Sequence, residues 1–204
     1  MGAIETGAYF ELHIVLAHLN QLLTDPVAVY AARGGIALLF ALAGWSKLRN
    51  LSVFRATLAD YELVPGVLLA PAAILIVIVE FSIAIGAWIP IVAPTVMSVA
   101  MVLLLLYASA IAINLIRGRK DIDCGCTGPA VRQSLSSWLL LRNTVLASIA
   151  SLGVNSPVAR ETSTLDFVLA AVVIAAGTAI YAAANQLMAN APRLDALDGL
   201  MEAN

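Results

Sequence analysis

Between Ile91 and Ile116 the chain carries no charged residue. A run of that length is expected to cross a membrane as a helix. About 20 apolar residues rising 1.5 Å each span the ~30 Å hydrocarbon core, and a helix satisfies its own backbone polar groups there. Further apolar stretches of similar length run from Val27 to Trp45, Val67 to Ile89, Trp138 to Val154 and Phe167 to Met188. Hydrophobic residues make up 61% of the 204 and charged residues 12%, against roughly 45–50% and 25% in soluble domains. The surplus apolar surface needs lipid as a solvent. The expected fold class is therefore an all-α integral membrane protein: a four-helix transmembrane core bundle plus a fifth transmembrane helix. Soluble, disordered and disulfide-dense secreted classes are excluded, and a net charge of -2 leaves no basic footprint for nucleic acid.

The connections differ in character. Trp88 to Pro94 contains Pro90 and Pro94 and no charge, which predicts a tight hairpin between the second and third spans. The first loop carries Lys47, Arg49 and Arg55, and its Leu51, Phe54 and Leu58 recur at helical spacing. That pattern predicts a short amphipathic helix at the interface. The third loop carries Arg117, Arg119, Lys120 and Arg132, then Ser134, Ser136 and Ser137, any of which can cap the fourth helix. Residues 1–25 hold no Lys or Arg, so the first span is expected to be an uncleaved anchor, with Tyr9 to Leu23 lying along the membrane.

The third loop also holds Cys124 and Cys126, separated by Gly125 and followed by Gly128 and Pro129. A disulfide across one intervening residue closes a ring far from relaxed geometry, and strained, exposed disulfides are the oxidising, labile ones. Gly125 makes such a ring feasible because it has no Cβ. Arg117, Arg119 and Lys120 can favour a thiolate or dock an acidic partner, with Asp121 and Asp123 opposing them. A structural disulfide and a metal site are the alternatives. The metal reading lacks ligands, because a closed zinc site wants about four and His13 and His18 are the only histidines; no metal is expected.

Ala43-Gly44-Trp45-Ser46-Lys47-Leu48, the Phe54 to Pro65 stretch, Glu80, Asp123-Cys124-Gly125-Cys126-Thr127-Gly128 and Trp138 to Asn143 together resemble the methylamine-utilisation protein MauE family. That family is itself similar to the DoxX-like membrane proteins, and its four-helix core looks like the vitamin K epoxide reductase and DsbB type. The resemblance covers roughly residues 27–155, and Thr127 stands where members often carry an aromatic. It implies a membrane thiol-disulfide oxidoreductase working through Cys124 and Cys126. The implied partner is a membrane-anchored thioredoxin-like protein (MauD-like), serving maturation of the disulfide-rich methylamine dehydrogenase small subunit. It also implies that a membrane quinone reoxidises the pair. A conduit for reducing equivalents and a non-catalytic anchor for the partner stay open. The expected division is an N-terminal interfacial segment (1–25), a four-helix redox core (26–155), a fifth transmembrane helix (156–190) and a tail (191–204) of one or two amphipathic turns.

Charges within spans are functional or pairing candidates by default. Counting 1.5 Å per residue puts Arg33 about 10 Å inside one face and Glu80 about 12 Å short of the same face. An Arg33–Glu80 ion pair is expected, and a role in shaping a quinone or proton path is the alternative. Arg142 lies near the cysteine face, where it can snorkel or favour a thiolate or a reduced quinone oxyanion. Tyr107, Trp88 and Trp138 read as interfacial or core aromatics. Five spans put both cationic loops on one face, which the positive-inside rule assigns to the cytoplasm. The implied disulfide chemistry assigns it to the periplasm, and the periplasm of a bacterial inner-membrane protein is the reading adopted.

Overall fold

The computed structural model describes residues 20–21, 23–119, 122 and 135–202, with side chains as far as residue 190. Among these residues the only regular elements are helices: α1 (Pro26–Arg49), α2 (Leu51–Asp60), a 3-10 turn (Gly66–Leu68), α3 (Leu69–Gly86), α4 (Ala93–Ile116), α5 (Ser137–Val154) and α6 (Thr164–Glu202). Five are long and apolar enough to cross a membrane: α1, α3 with its 3-10 turn, α4, α5 and α6 to Asn190. The chain is a multi-pass membrane protein. Cys124, Cys126, Lys120 and nearly all of the Tyr9 to Leu23 stretch lie outside the described residues.

Local chemistry sets the helix ends. Asp25 caps α1, its Oδ1 accepting from the Val27 amide at 2.8 Å, and Pro26 follows at the first helical position, where its missing amide costs nothing. Glycine ends α4 in the left-handed region: Gly118 has φ +76°. Its amide donates to the Leu115 carbonyl, and the Arg119 amide reaches back to Asn114 at 3.0 Å. This is the Schellman arrangement, which satisfies carbonyls the helix leaves orphaned. Ser136 holds the N-cap position of α5 with extended backbone, but its side chain makes no capping hydrogen bond. The expected serine cap is thus not formed by Ser136.

α1 is the centre of the bundle, packing on α3, α5 and α6, while α4 and α5 pair closely. The main core joins Ile36, Phe40, Ile83, Met97, Leu104 and Ala150. Small residues set the close approaches. A Cβ on Gly44 would sit 3.4 Å from Glu80 Cβ, and one on Gly34 would meet Ile174 Cδ1 of α6 at 2.5 Å. Tyr30 of α1 stacks on Phe167 of α6 with ring centroids 5.8 Å apart. α6 is otherwise largely lipid-facing, with Leu165, Val172, Ile180 and Leu187 all exposed.

The tail differs from expectation. α6 runs unbroken through it to Glu202, because Ala191, Leu194, Ala196, Leu197 and Met201 are helix formers that carry the turn past Pro192. The amphipathic helix of the first loop is present as α2, with Phe54 turned inward and Ser52, Arg55 and Asp60 exposed.

Candidate functional site

Arg33 and Glu80 do not pair. Glu80 faces Gly44, and from Gly44 back to Arg33 the rise along α1 amounts to about 16 Å. The expected pairing treated α1 and α3 as ending on one plane, but α3 ends well before it reaches the level of Pro26. Arg33 instead donates from Nε to the Gly153 carbonyl at 2.9 Å and from Nη2 to the Asn155 carbonyl at 3.0 Å. It caps the carboxyl end of α5, where backbone carbonyls lack helical partners and the helix dipole favours a cation. Its role is architectural.

The partner of Glu80 is Lys47, which the sequence assigned to a loop. Helix α1 continues past Trp45 for another turn, so Lys47 faces inward and is 5% exposed. Glu80 is fully buried and its Oε1 accepts from Lys47 Nζ and from the Tyr107 hydroxyl, the latter at 2.8 Å. The ammonium also lies over two rings, 5.3 Å from the centroid of Phe54 and 5.4 Å from that of Tyr107. Such cation–π contacts add roughly 0.5–2 kcal/mol each. Tyr107, expected to be an ordinary core or interfacial aromatic, belongs to this cluster. The second carboxylate oxygen, Glu80 Oε2, is buried with no hydrogen-bond partner among the described residues.

Arg142 lies at the same level from α5. It is 5% exposed, so it does not snorkel to the surface. Its Nη1 donates to Asn185 Oδ1 at 3.3 Å, and its guanidinium stands 5.9 Å from the Tyr181 ring, both on α6. Asn143, beside it, returns its amide to the Leu139 carbonyl. A polar layer therefore crosses the bundle, fed by Lys47, Glu80, Tyr107, Arg142 and Asn185. Of the expected site residues it unites Glu80 and Arg142 and leaves Arg33 out.

A cavity of about 310 Å³ opens from this layer between α1, α5 and α6. Its polar end holds Lys47, Glu80, Tyr107, Arg142 and Asn143, and its body is lined by residues such as Leu39, Leu146, Ile149 and Ile174. Two of its wall residues are Gly35 and Gly177, and a Cβ built on either would meet nothing within 4 Å. These glycines leave room, whereas Gly34 and Gly44 allow contact.

About one helical turn outside the polar layer, Tyr61, Ile111, Leu135 and Leu139 form a small apolar cluster with Ile122 packed against it. The Leu135 amide donates to the Ile122 carbonyl at 3.2 Å. Ile122 and Leu135 flank the segment that carries Cys124 and Cys126 in the sequence, so that segment leaves and returns at one point. Buried Asn114 donates to the Tyr61 carbonyl at 3.3 Å, and Arg119 pairs with Glu62 at 2.8 Å. These bonds tie the two cationic loops together on one face. Arg119 is thus committed within the chain, while Arg117 is exposed.

The sequence carried signals for the residues first missed. Gly44 and Lys47 stand three apart on one helix face, and Tyr181 and Asn185 are polar residues four apart in an apolar span. Both patterns are those of a helix presenting polarity to a neighbour.

Fold and site together define a five-span helical membrane protein with a buried charged layer and a lipid-side cavity beneath an anchored loop. The sequence profile described as Methylamine utilisation protein MauE matches residues 25–156, and the chain belongs to that family. It is 36% identical to methylamine utilization protein MauE of Paracoccus denitrificans over 65% of this chain and 71% of that one. It is 33% identical to MauE of Paracoccus versutus over 72% and 80%, and 36% identical to MauE of Methylorubrum extorquens over 66% and 72%. No solved structure matches the chain.

Proposed function

We propose that the chain is a thiol-disulfide oxidoreductase of the bacterial inner membrane that exchanges disulfides through Cys124 and Cys126 with a membrane-anchored thioredoxin-like (MauD-like) protein. Through that protein it supports disulfide formation in the methylamine dehydrogenase small subunit, with the cysteine loop facing the periplasm. In the oxidase direction a partner thiolate attacks Cys124 Sγ and Cys126 departs as a thiolate. The partner's second thiol then displaces Cys124 from the mixed disulfide. The partner leaves with a disulfide, and the Cys124/Cys126 pair holds two electrons and two protons. A membrane quinone, when bound, supplies the acceptor for them. Glu80 and Arg142 line the cavity that would hold its headgroup; Arg33, bound to the end of α5, does not.

The observation that carries this reading is the C-G-C pair in a segment whose two ends are hydrogen-bonded to each other, one turn outside the buried charged layer. A loop that only joined two spans needs neither feature.

The test is non-reducing electrophoresis of Cys124→Ser and Cys126→Ser, each coexpressed with the thioredoxin-like protein. In Cys126→Ser the Cys124 thiolate attacks the disulfide of the oxidised partner, expelling one partner thiolate, and with no Cys126 to displace it the mixed disulfide should persist as a reducible adduct; Cys124→Ser should give none. No adduct from either variant refutes the exchange. An adduct from Cys124→Ser alone reverses the roles of the two sulfurs.

A further inference from the structure

Glu80 poses a requirement that the described residues do not meet. A fully buried carboxylate oxygen without a donor costs several kcal/mol, and the Lys47 and Tyr107 donors both go to the other oxygen, Oε1. Glu80 lines the cavity, and a ligand there is a source of a donor from outside the described residues. That ligand must present a hydroxyl or N–H group to Oε2.

The rest of the cavity narrows its class. Leu42 and Val173 line it and are 58% and 52% exposed on the outside of the bundle, which for spanning helices is the lipid side. The body is apolar, and the ligand accordingly enters from the bilayer with an apolar portion. Arg142 and Asn143 share the polar end with Glu80, and the guanidinium is a donor that favours oxygen acceptors. The headgroup therefore combines a donor with acceptor oxygens. Where Gly35 and Gly177 face the space, nothing lies within 4 Å of a would-be Cβ, so the walls are flat and wide enough for a planar ring. An aliphatic chain would not need that width.

We infer that the cavity between α1, α5 and α6 binds the ring of a lipid-soluble hydroquinone, with Glu80 Oε2 accepting a hydrogen bond from one ring hydroxyl. This rests on the proposed function for its choice of redox lipid, and adds the site, the contacting atom and the preferred form. The oxidised quinone has only acceptor oxygens and leaves Oε2 unmet, so the reduced form is held more tightly. A single charge-assisted hydrogen bond made by one form alone corresponds to about a tenfold preference.

The experiment uses the purified full chain in detergent with both cysteines changed to serine, so that no thiol chemistry consumes the probe. A decyl-substituted benzoquinone, its hydroquinone kept reduced without oxygen, and 1-decanol are titrated, and binding is read from intrinsic tryptophan fluorescence and from the rise in melting temperature. The hydroquinone should bind saturably and about tenfold tighter than the quinone, and 1-decanol weakly or not at all. Gly177→Leu, which grows into open space and should leave the apo melting temperature nearly unchanged, should weaken both ring forms at least tenfold. Glu80→Gln should cut the preference for the reduced form to threefold or less while the quinone still binds. Absence of saturable binding, equal affinity for both ring forms, binding of 1-decanol as tight as the ring, or indifference to Gly177→Leu would each overturn the inference. Because the cysteines are absent here and the adduct assay does not involve the cavity, the two readings can fail separately.

Discussion

Lys47 and Glu80 should behave as one energetic unit, and a double-mutant cycle measures it. Lys47→Met keeps most of the side-chain volume but removes the cation, leaving a fully buried carboxylate with only the Tyr107 hydroxyl. Breaking a buried pair from one side costs about 3–5 kcal/mol, and the two cation–π contacts are lost with it. Glu80→Gln is milder, because its amide oxygen still accepts from Lys47 and Tyr107; about 1.5–3 kcal/mol is expected, the worth of a hydrogen bond to a charged group. In the double variant no charge is left stranded, so its cost should fall at least ~2 kcal/mol below the sum of the singles. At roughly 2–4 °C per kcal/mol for a chain of this size, the departure from additivity is about 4–8 °C in melting temperature in detergent. A parallel cycle of Arg33→Met with Glu80→Gln should be additive, since those residues share no partner and sit about 16 Å apart along the bundle. Additivity within about 0.5 kcal/mol for Lys47 and Glu80 would refute the pairing, and coupling of Arg33 with Glu80 would restore the pairing expected from depth alone.

Two further outcomes follow from the helix contacts. Arg33→Leu should destabilise the bundle by about 2–4 kcal/mol through the two α5 carbonyls it leaves unmet, measured by melting in detergent, while the covalent adduct of Cys126→Ser still forms. Gly86→Val should cost about 1–3 kcal/mol, because its Cβ would come 2.8 Å from Cγ2 of the stiff, β-branched Val96. In the same assay Gly35→Ala should be neutral or stabilising by up to ~1 kcal/mol, since that Cβ meets nothing.

What the sequence made legible follows from which forces act locally. The five spans, the Pro90 hairpin and the amphipathic α2 are properties of short windows, and bilayer thickness turns them directly into structure. Partner choice among buried charges depends on the relative height of helices distant in sequence. The depth count placed Arg33 beside Glu80 because it gave α1 and α3 a common end plane. Lys47 was hidden by the convention that a charge ends a span. At this position the helix runs one turn further, and the buried carboxylate with two aromatic rings meets the ammonium. The cavity could not be read at all, since it depends on Gly35 and Gly177 facing space while Gly34 faces Ile174. The cysteine pair was the reverse case: its chemistry is legible from residue types and spacing, and its environment here is defined only by the anchors on either side.

Helix α6 has 39 residues, about 58 Å at 1.5 Å each, nearly twice the hydrocarbon thickness. It starts where Arg160 pairs with both Asp25 and Asp166, and passes the polar layer at Tyr181 and Asn185. The excess length therefore emerges on the side where Ile122 and Leu135 hold the cysteine segment. The carboxyl-terminal helix stands as a mast out of the membrane on the face where Ile122 and Leu135 are joined. The thioredoxin-like partner proposed above meets this projecting helix on the same face as the Glu62–Arg119 ion pair.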